Sequence, residues 1–159
     1  MPKSTIADHT PVLIASGQFT ERLGQPDYRG LSPVQITAEA ARIALQDAGA
    51  SGLDEQIDCV MTTRTFEDSA PVLAFPFGRS NNFPRSVCRQ LNISPREAIW
   101  ATSGGDTPQK LVVEACQAIA AGRARAVLIA GGEAMSTAKH LVKTGATVDW
   151  SETIDEQVE

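Results

Sequence analysis

The sequence has no arrangement of residues that is typical of a metal site or a disulfide framework. Its three cysteines, Cys59, Cys88 and Cys116, are an odd number, lie far apart and form no Cys-x-x-Cys pair. The two histidines, His9 and His140, are also widely separated, so the ligand spacing of a zinc site is absent. We therefore predict structural thiols and no bound metal.

Long apolar runs and a basic excess are missing as well. No apolar run approaches the roughly 20 residues that span a bilayer, and the N-terminus lacks the apolar core of a signal peptide. Residues 1–148 hold all 14 Lys and Arg and 14 of the 19 Asp and Glu, so they are neutral, and the other five acids lie in residues 149–159. Nucleic-acid binding requires a clustered basic face. We expect a cytoplasmic protein with no nucleic-acid partner, no membrane span and a solvated acidic tail over 149–159.

Common phosphate-binding and nucleophile motifs are absent too. Gly104-Gly105 lacks the third glycine of a dinucleotide fingerprint, and no Gly-x-x-x-x-Gly-Lys-[Ser/Thr] loop occurs. A Ser-His-Asp triad could be drawn from Ser103, His140 and an acid, but no spacing supports it and there is no Gly-x-Ser-x-Gly elbow. The sequence therefore has no motif that indicates a nucleotide site or a serine-hydrolase site.

The sequence does contain a regular alternation of strands and helices. Its 159 residues, 42% hydrophobic and 21% charged, suit one globular domain. Strands are predicted at 11–16, 59–65, 98–102 and 126–130, a long connection at 66–83, and helices at 33–48, 84–91, 107–121 and 136–143. This order predicts an α/β domain over 1–148, with a mixed, mostly parallel sheet, helices on both faces and a loop region that starts near 136–148.

Two of the predicted helices have distinctive sequence signals. Ser32, Pro33 and Gln35 form a capping box with proline in the first turn, and Gly49 is placed to end the same helix. The helix over 107–121 is apolar on more than one side, and we expect it to be the most buried helix of the fold.

Candidate site residues follow two of the predicted strands, where ligands of parallel sheets bind. After the third strand, Ser103-Gly-Gly-Asp-Thr-Pro108 leads into a helix that Asp106 or Thr107 should cap, and the N–H groups of its first turn would stabilise an anion, a thiolate or an oxyanion. The alternative is a tight turn with a good cap and no ligand. After the fourth strand, Glu133 in Gly131-Gly-Glu-Ala-Met-Ser136 would need a partner if buried, and we assign it a structural role.

Taken together, these segments resemble the N-terminal half of the thiolase superfamily over roughly residues 10–148. The resemblance rests on Ser103-Gly-Gly-Asp-Thr-Pro-Gln-Lys-Leu-Val, on Ala118-Ile-Ala-Ala-Gly122 and on Val127-Leu-Ile-Ala-Gly-Gly-Glu-Ala-Met-Ser136. More narrowly, the sequence is similar to thiolase-like acetyl-CoA acetyltransferases with a Gly-Gly-Asn-Thr-Pro-Gln type turn. The resemblance implies one half of the thiolase-like layered fold.

The resemblance also implies a chemistry for which this sequence lacks parts. In thiolases a Cys at the start of the helix attacks the acyl-CoA, and that position falls on Gly105 here, flanked by Ser103, Asp106 and Thr107. Glycine cannot form an acyl-enzyme. The Gly-His-Pro and Cys-x-Gly motifs of the C-terminal half are absent, as is most of the CoA-binding loop region.

Three hypotheses follow from the resemblance and the departures from it. The first is the N-terminal part of an acyl-CoA-dependent acyltransferase of lipid metabolism, with acyl-CoA as substrate, no tightly bound cofactor and its remaining parts elsewhere. The second, preferred for the isolated chain, is a non-catalytic thiolase-fold binding or scaffold module that needs a partner. The third is a hydrolase that uses Ser103. In each case the half fold should associate, either as a homo-oligomer or with a C-terminal thiolase half.

Overall fold

Helices and strands alternate from residue 33 onward in the computed structural model, which describes residues 6–7, 9–70, 72 and 74–155. The helices are α1 (Pro33–Asp47), α2 (Phe66–Ser69), α3 (Phe83–Leu91), α4 (Thr107–Ala120) and α5 (Met135–Thr144). The strands are β1 (Ile57–Thr63), β2 (Glu97–Ala101) and β3 (Ala126–Ala130). A 3₁₀ turn, Asp54–Gln56, leads into β1.

The three strands form one parallel sheet in the order β2-β1-β3. In the central strand, Val60 lies opposite Ala98 of β2 and Leu128 of β3. One face of the sheet packs on α1 and α3, and the other packs on α4 through Leu111 and Ala115. The predicted α/β class, with a parallel sheet and helices on both faces, is therefore confirmed.

The start and end of α1 match the sequence signals. The Ser32 hydroxyl accepts the Gln35 N–H at 3.2 Å, and the Gln35 side chain accepts the Ser32 N–H at 2.9 Å. Gly49 follows the helix with φ of +59°, a left-handed conformation that glycine adopts at little cost.

An ion pair joins the starts of the two neighbouring strands β1 and β3. The Asp58 carboxylate accepts the backbone N–H of Arg125 at 2.7 Å and two guanidinium hydrogen bonds at 3.0 and 3.1 Å. These hydrogen bonds from Arg125 lower the pKa of Asp58 to about 2.

The strand predicted at 11–16 is absent, and that prediction was wrong. Within the described residues the segment has no sheet partner, and Val12, Leu13 and Ile14 are 63%, 90% and 57% exposed. The end of the segment is instead held against α1. A Cβ on Gly17 would collide with the backbone of Ala40 and Ala44, and the Ser16 N–H donates to the Asp47 carboxylate at 3.0 Å.

The prediction that α4 is the most buried helix was also wrong. Five of the nine residues of α3 are buried, against four of the fourteen of α4. Helix α3 packs against both α1 and the sheet, whereas α4 uses one stripe on the sheet and leaves its outer side uncovered. Val112 and Val113 on that side are 44% and 46% exposed.

The acidic tail packs on the body as far as Asp155. The Trp150 ring lies 5.2 Å from that of Phe77, and Ile154 is buried. The Asn81 side chain donates to the Ile154 carbonyl at 3.0 Å and accepts its N–H at 2.9 Å. Residues 149–155 have an isolated bridge of Glu152 to Ser80 and no regular element, and Asp149 and Asp155 are exposed, but Trp150 and Ile154 anchor the segment on the body. Residues 156–159 lie outside the described part.

None of the described helices is long and apolar enough to cross a membrane. Cys59 and Cys88 are buried and Cys116 is partly buried, as structural thiols are. Over the residues described above, no cluster of His, Cys, Asp and Glu is placed to hold a metal ion.

Candidate functional site

The turn between β2 and α4 contains the predicted site residues and is open to solvent. Ser103, Gly105 and Asp106 are exposed, whereas Thr107 is buried. The Thr107 N–H donates to the Gly104 carbonyl at 3.1 Å, and the Thr107 hydroxyl donates to the Thr102 carbonyl at 2.9 Å. These bonds tie the first turn of α4 to the end of β2.

The expected side-chain cap of α4 is not formed. Asp106 is at the N-cap position but has φ of −98° and ψ of −8°, and not the extended backbone of a capping residue. Its carboxylate binds the Lys110 ammonium at 2.8 Å, and this hydrogen bond lowers the pKa of Asp106. Thr107 is the first residue of the helix, and its hydroxyl acts as a donor. Asp106 is therefore at the predicted N-cap position, but the side-chain hydrogen bond of a cap is not formed.

Gly105 has room for a side chain. A Cβ built at this position meets no atom within 4 Å, and the backbone there does not have the positive φ that strains other residues. Glycine is therefore not required sterically at Gly105, and a cysteine or alanine would fit. An introduced side chain would project into open space immediately before the first turn of α4.

A cavity of about 430 Å³ lies beside this turn, between the end of β2 and the side of α4. Lys110 and Gln109 provide polar groups, and Leu111 and Val113 provide an apolar wall. Its remaining lining residues are Ala101, Thr102, Thr107 and Glu114. The only ammonium of the lining, Lys110, pairs with Asp106, and Glu114 adds a carboxylate, so the cavity suits a small ligand with one polar and one apolar part.

Neither histidine forms a hydrogen bond with Ser103 in the described part of the chain. The His140 ring packs edge-on against Tyr28, with the ring centroids 5.9 Å apart. His9 lies near Gly122, at the opposite end of α4, which is about 20 Å from the turn at 1.5 Å per residue. Among the described residues the structure forms no Ser-His pair at this turn.

The second predicted segment, after β3, has a structural hydrogen bond. The Glu133 carboxylate accepts the N–H of Phe66, the first residue of α2, at 2.8 Å. Loss of hydration raises the pKa of Glu133, and the nearby Glu67 and Asp68 raise it further. Glu133 therefore joins α2 to the end of β3, in the structural role expected of it.

Glu67, Asp68 and Glu133 form an acidic cluster that the sequence reasoning missed. Glu67 is 8% exposed, and burial raises its pKa, while Arg79 opposes that shift. Asp68 pairs with Arg79 at 3.5 Å and accepts the Thr65 N–H at 3.2 Å. The signal in the sequence was Thr65-Phe-Glu-Asp68, a capping box inside what was predicted as a long connection.

The buried carboxyl of Glu67 predicts a measurable pH dependence of stability. The folded-state pKa of Glu67 lies above 4.5, the usual value of a glutamate, so folding opposes ionisation of this carboxyl. The resulting loss of stability at neutral pH disappears as the pH falls to about 4.5. Glu67→Gln keeps an oxygen acceptor and removes the charge. Urea unfolding at pH 7 and at about pH 4.5 measures the effect. We expect this variant to be at least as stable as the wild type at pH 7, and to lack the increase in unfolding free energy that the wild type shows on acidification. The exposed control Glu114→Gln should behave as wild type. If the unfolding free energy of all three proteins rose equally on acidification, Glu67 would not be the source of the pH dependence.

Comparison with solved structures finds a similar thiolase-like protein. The chain is similar to the crystal structure of a monomeric SCP2-thiolase-like protein type 1 from Mycobacterium smegmatis, with 37% sequence identity and a TM-score of 0.60. The match covers 76% of this chain and 23% of that one, so the chain spans less than a quarter of that protein's length. No protein-family profile matches, and no curated protein sequence is similar enough to match.

At this identity and TM-score, the likeness establishes a thiolase-like fold for the described α/β domain. The three parallel strands and the helices on both faces are the part of that fold seen here.

Proposed function

We propose that this chain is the N-terminal half of a thiolase-fold protein of the acetyl-CoA acetyltransferase type, that it acts in the cytoplasm on acyl-CoA, and that it is inactive on its own. The proposal rests on one observation, the 37% identity with an SCP2-thiolase-like protein over three quarters of the chain. It assigns acyl-CoA to the cavity at the start of α4.

The turn at Gly105 supports the inactivity of the chain. A nucleophile here would attack the thioester carbonyl and release the CoA thiolate, and the helix N-terminus would stabilise the anion that attacks. Glycine has no atom that can make this bond. Ser103 is exposed on the same turn, but a hydroxyl requires a base to become nucleophilic, and His9 and His140 are held elsewhere.

The outer side of α4 supports a missing partner. Val112 and Val113 are about half exposed on a helix whose opposite stripe is buried. An element packed on this side of the helix would bury the exposed apolar surface of both valines. We assign this face to a C-terminal thiolase half, which would supply the His and the second Cys.

A non-catalytic module is the second candidate, and Gly105 favours it for the isolated chain. In this role the domain would keep the acyl-CoA cavity and the α4 face for binding and would catalyse nothing. The two candidates differ in the effect of the partner: the first predicts acyl transfer only if a complete C-terminal half also supplies the nucleophile that Gly105 lacks, and the second predicts none.

The test is co-expression with the part of the Mycobacterium smegmatis protein that lies outside the matched region. We expect the two polypeptides to co-purify, and Val113→Glu to reduce the recovered complex at least about tenfold, since a charge would be buried in the contact. Val142→Glu is the matched control, because Val142 is 52% exposed on α5, and it should leave recovery unchanged.

Two further measurements separate the hypotheses. The chain alone should show no thiolysis of acetoacetyl-CoA and no labelling of Ser103 by a fluorophosphonate. Labelling of Ser103 would support the hydrolase, and failure to co-purify, or a complex that Val113→Glu leaves intact, would overturn the assignment of the α4 face.

A further inference from the structure

A second cavity of about 430 Å³ lies along one side of α3, and we call it the α3 cavity. The loop 93–95, which leads from α3 to β2, and Ile154 of the C-terminal segment form part of its lining. A volume of this size is in the range of small-ligand sites. The helix contributes the other lining residues, which share one face because they are three or four positions apart: Arg85, Cys88, Arg89 and Asn92.

The α3 cavity is separate from the candidate site at the start of α4. Helix α3 packs on one face of the sheet, and α4 packs on the other. No described residue lines both the α3 cavity and the cavity beside the turn at Gly105. A ligand of the α3 cavity is therefore independent of the function proposed for that turn.

The Arg85 guanidinium is held in a fixed position in the wall of the α3 cavity. Its Nη1 donates to the Pro95 carbonyl at 2.7 Å, and its Nη2 donates to the Arg96 carbonyl at 3.3 Å. These bonds join α3 to the residues just before β2. Because the side chain is already ordered, it loses little further conformational freedom when a ligand binds.

Arg89 provides a second guanidinium one helical turn from Arg85. It is exposed, and none of the described carboxylates forms an ion pair with it. Asp155, which follows the lining residue Ile154, is also exposed. Like charges four positions apart on a helix repel each other. An anion bound between the two guanidinium groups would offset this repulsion.

Positive charge continues from the α3 cavity to the residues before β2 and β3. The Arg96 guanidinium donates to the carbonyl of Arg123 at 2.7 Å. Both arginines are exposed, and neither forms an ion pair with a carboxylate in the described part of the chain. The whole chain has a net charge of −5, so the sum of charges hides a local basic region. The local potential there attracts anions.

We propose that the α3 cavity binds the phosphate group of a small phosphate monoester. A guanidinium group directs paired N–H donors at two phosphate oxygens, and Arg85 and Arg89 present two such groups on one face of α3. The Ser94 hydroxyl and the Asn92 amide belong to the same lining and supply further donors.

The apolar part of the lining favours an ester over the free phosphate ion. Ile93 and Ile154 are 8% and 6% exposed, and both line the α3 cavity together with Pro95. A phosphate ion makes no favourable use of this apolar surface, whereas the carbon chain of an ester buries it. We therefore expect a ligand with a short carbon chain, and glycerol 3-phosphate is a suitable probe.

Isothermal titration calorimetry of the 159-residue chain with glycerol 3-phosphate tests the site. We expect saturable binding of one ligand per chain, and we expect Arg89→Gln to weaken it at least about tenfold, because a charged donor to the phosphate is lost. Arg22→Gln is the matched control, since it removes the same charge from an exposed arginine in the loop before α1, and it should leave the affinity unchanged. Absence of binding at millimolar ligand, or equal weakening by both substitutions, would overturn the proposal.

Two further ligands separate the phosphate group from the rest of the ester. Inorganic phosphate should bind more weakly than glycerol 3-phosphate and compete with it, and glycerol should not bind. Equal affinities for inorganic phosphate and the ester would overturn the assignment of an ester and leave a site for the free ion.

Amide chemical shifts locate the bound ligand. In the ¹⁵N-labelled chain, glycerol 3-phosphate should shift the amide signals of Arg89, Ile93 and Ser94 and leave those of Thr107 and Lys110 unchanged. Shifts confined to Thr107 and Lys110 would place the phosphate in the cavity assigned to acyl-CoA. That result would overturn the α3 site and leave the proposed function intact.

Discussion

Leu111→Ala is expected to lower the free energy of unfolding by about 2–5 kcal/mol, as truncations of buried leucines do. Leu111 is 2% exposed and lies in the core layer formed with Cys59 and Met61 of β1, so its loss leaves a cavity between α4 and the sheet. Urea unfolding at pH 7, followed by circular dichroism, measures the change.

The matched control for this prediction is two positions along the same helix. Val113→Ala removes apolar atoms from a side chain that is 46% exposed, and it should change the unfolding free energy by less than about 0.5 kcal/mol. Equal losses for the two variants would mean that the outer side of α4 is covered in the isolated chain. That result would contradict the exposure of Val113 on α4.

Gly105→Cys is expected to create the most reactive thiol of the chain. Cys59 and Cys88 are buried and Cys116 is partly buried, whereas position 105 is open and lies just before the first turn of α4. The N–H groups at a helix start favour the thiolate. We expect iodoacetamide to label the introduced thiol at least about tenfold faster than Cys116. The pH dependence of labelling should give this thiol a pKa below about 8.5, the value of an ordinary cysteine.

Ser103→Cys is the control for the effect of the helix. It places an exposed thiol on the same turn but two residues further from α4. Its labelling should follow the pH dependence of an ordinary thiol. If the two introduced thiols titrate alike, the start of α4 does not stabilise an anion at position 105.

Local signals in the sequence were enough to predict most of the fold. The capping box of Ser32 and Gln35 located α1, and the short apolar run over 126–130 located β3 at its observed bounds. These features depend on contacts between residues near one another in sequence. The parallel sheet followed because apolar strands that alternate with helices are normally buried on both faces.

Two failures came from treating apolar sequence as evidence of burial. The apolar run of Val12, Leu13 and Ile14 predicted a buried strand, but a strand also needs a neighbouring strand to pair with. The segment lies beside α1 instead, where the Ser16 N–H donates to Asp47. In α4, Val112 and Val113 made the helix apolar on two sides, while the sheet covers only one. A sequence records which surfaces are apolar and does not record which partner covers them.

At the candidate site, the position was easier to predict than the contacts. The sequence located the turn over 103–107 at the end of a strand, but not the bond from Thr107 to the Thr102 carbonyl or the pairing of Asp106 with Lys110. The acidic cluster was missed because Glu67 and Glu133 are 66 residues apart and meet only when α2 folds back toward the end of β3.

Intact-mass spectrometry of the wild-type chain after incubation with acetyl-CoA tests the central claim, that Gly105 leaves this thiolase-like domain without a nucleophile. The Gly105→Cys variant, treated in parallel, shows whether the turn can accept an acetyl group when a thiol is present. We predict that the wild-type mass stays unchanged at every acetyl-CoA concentration. An acetyl group on the wild-type chain, mapped by peptide sequencing to Ser103, would contradict the claim and make that serine the nucleophile.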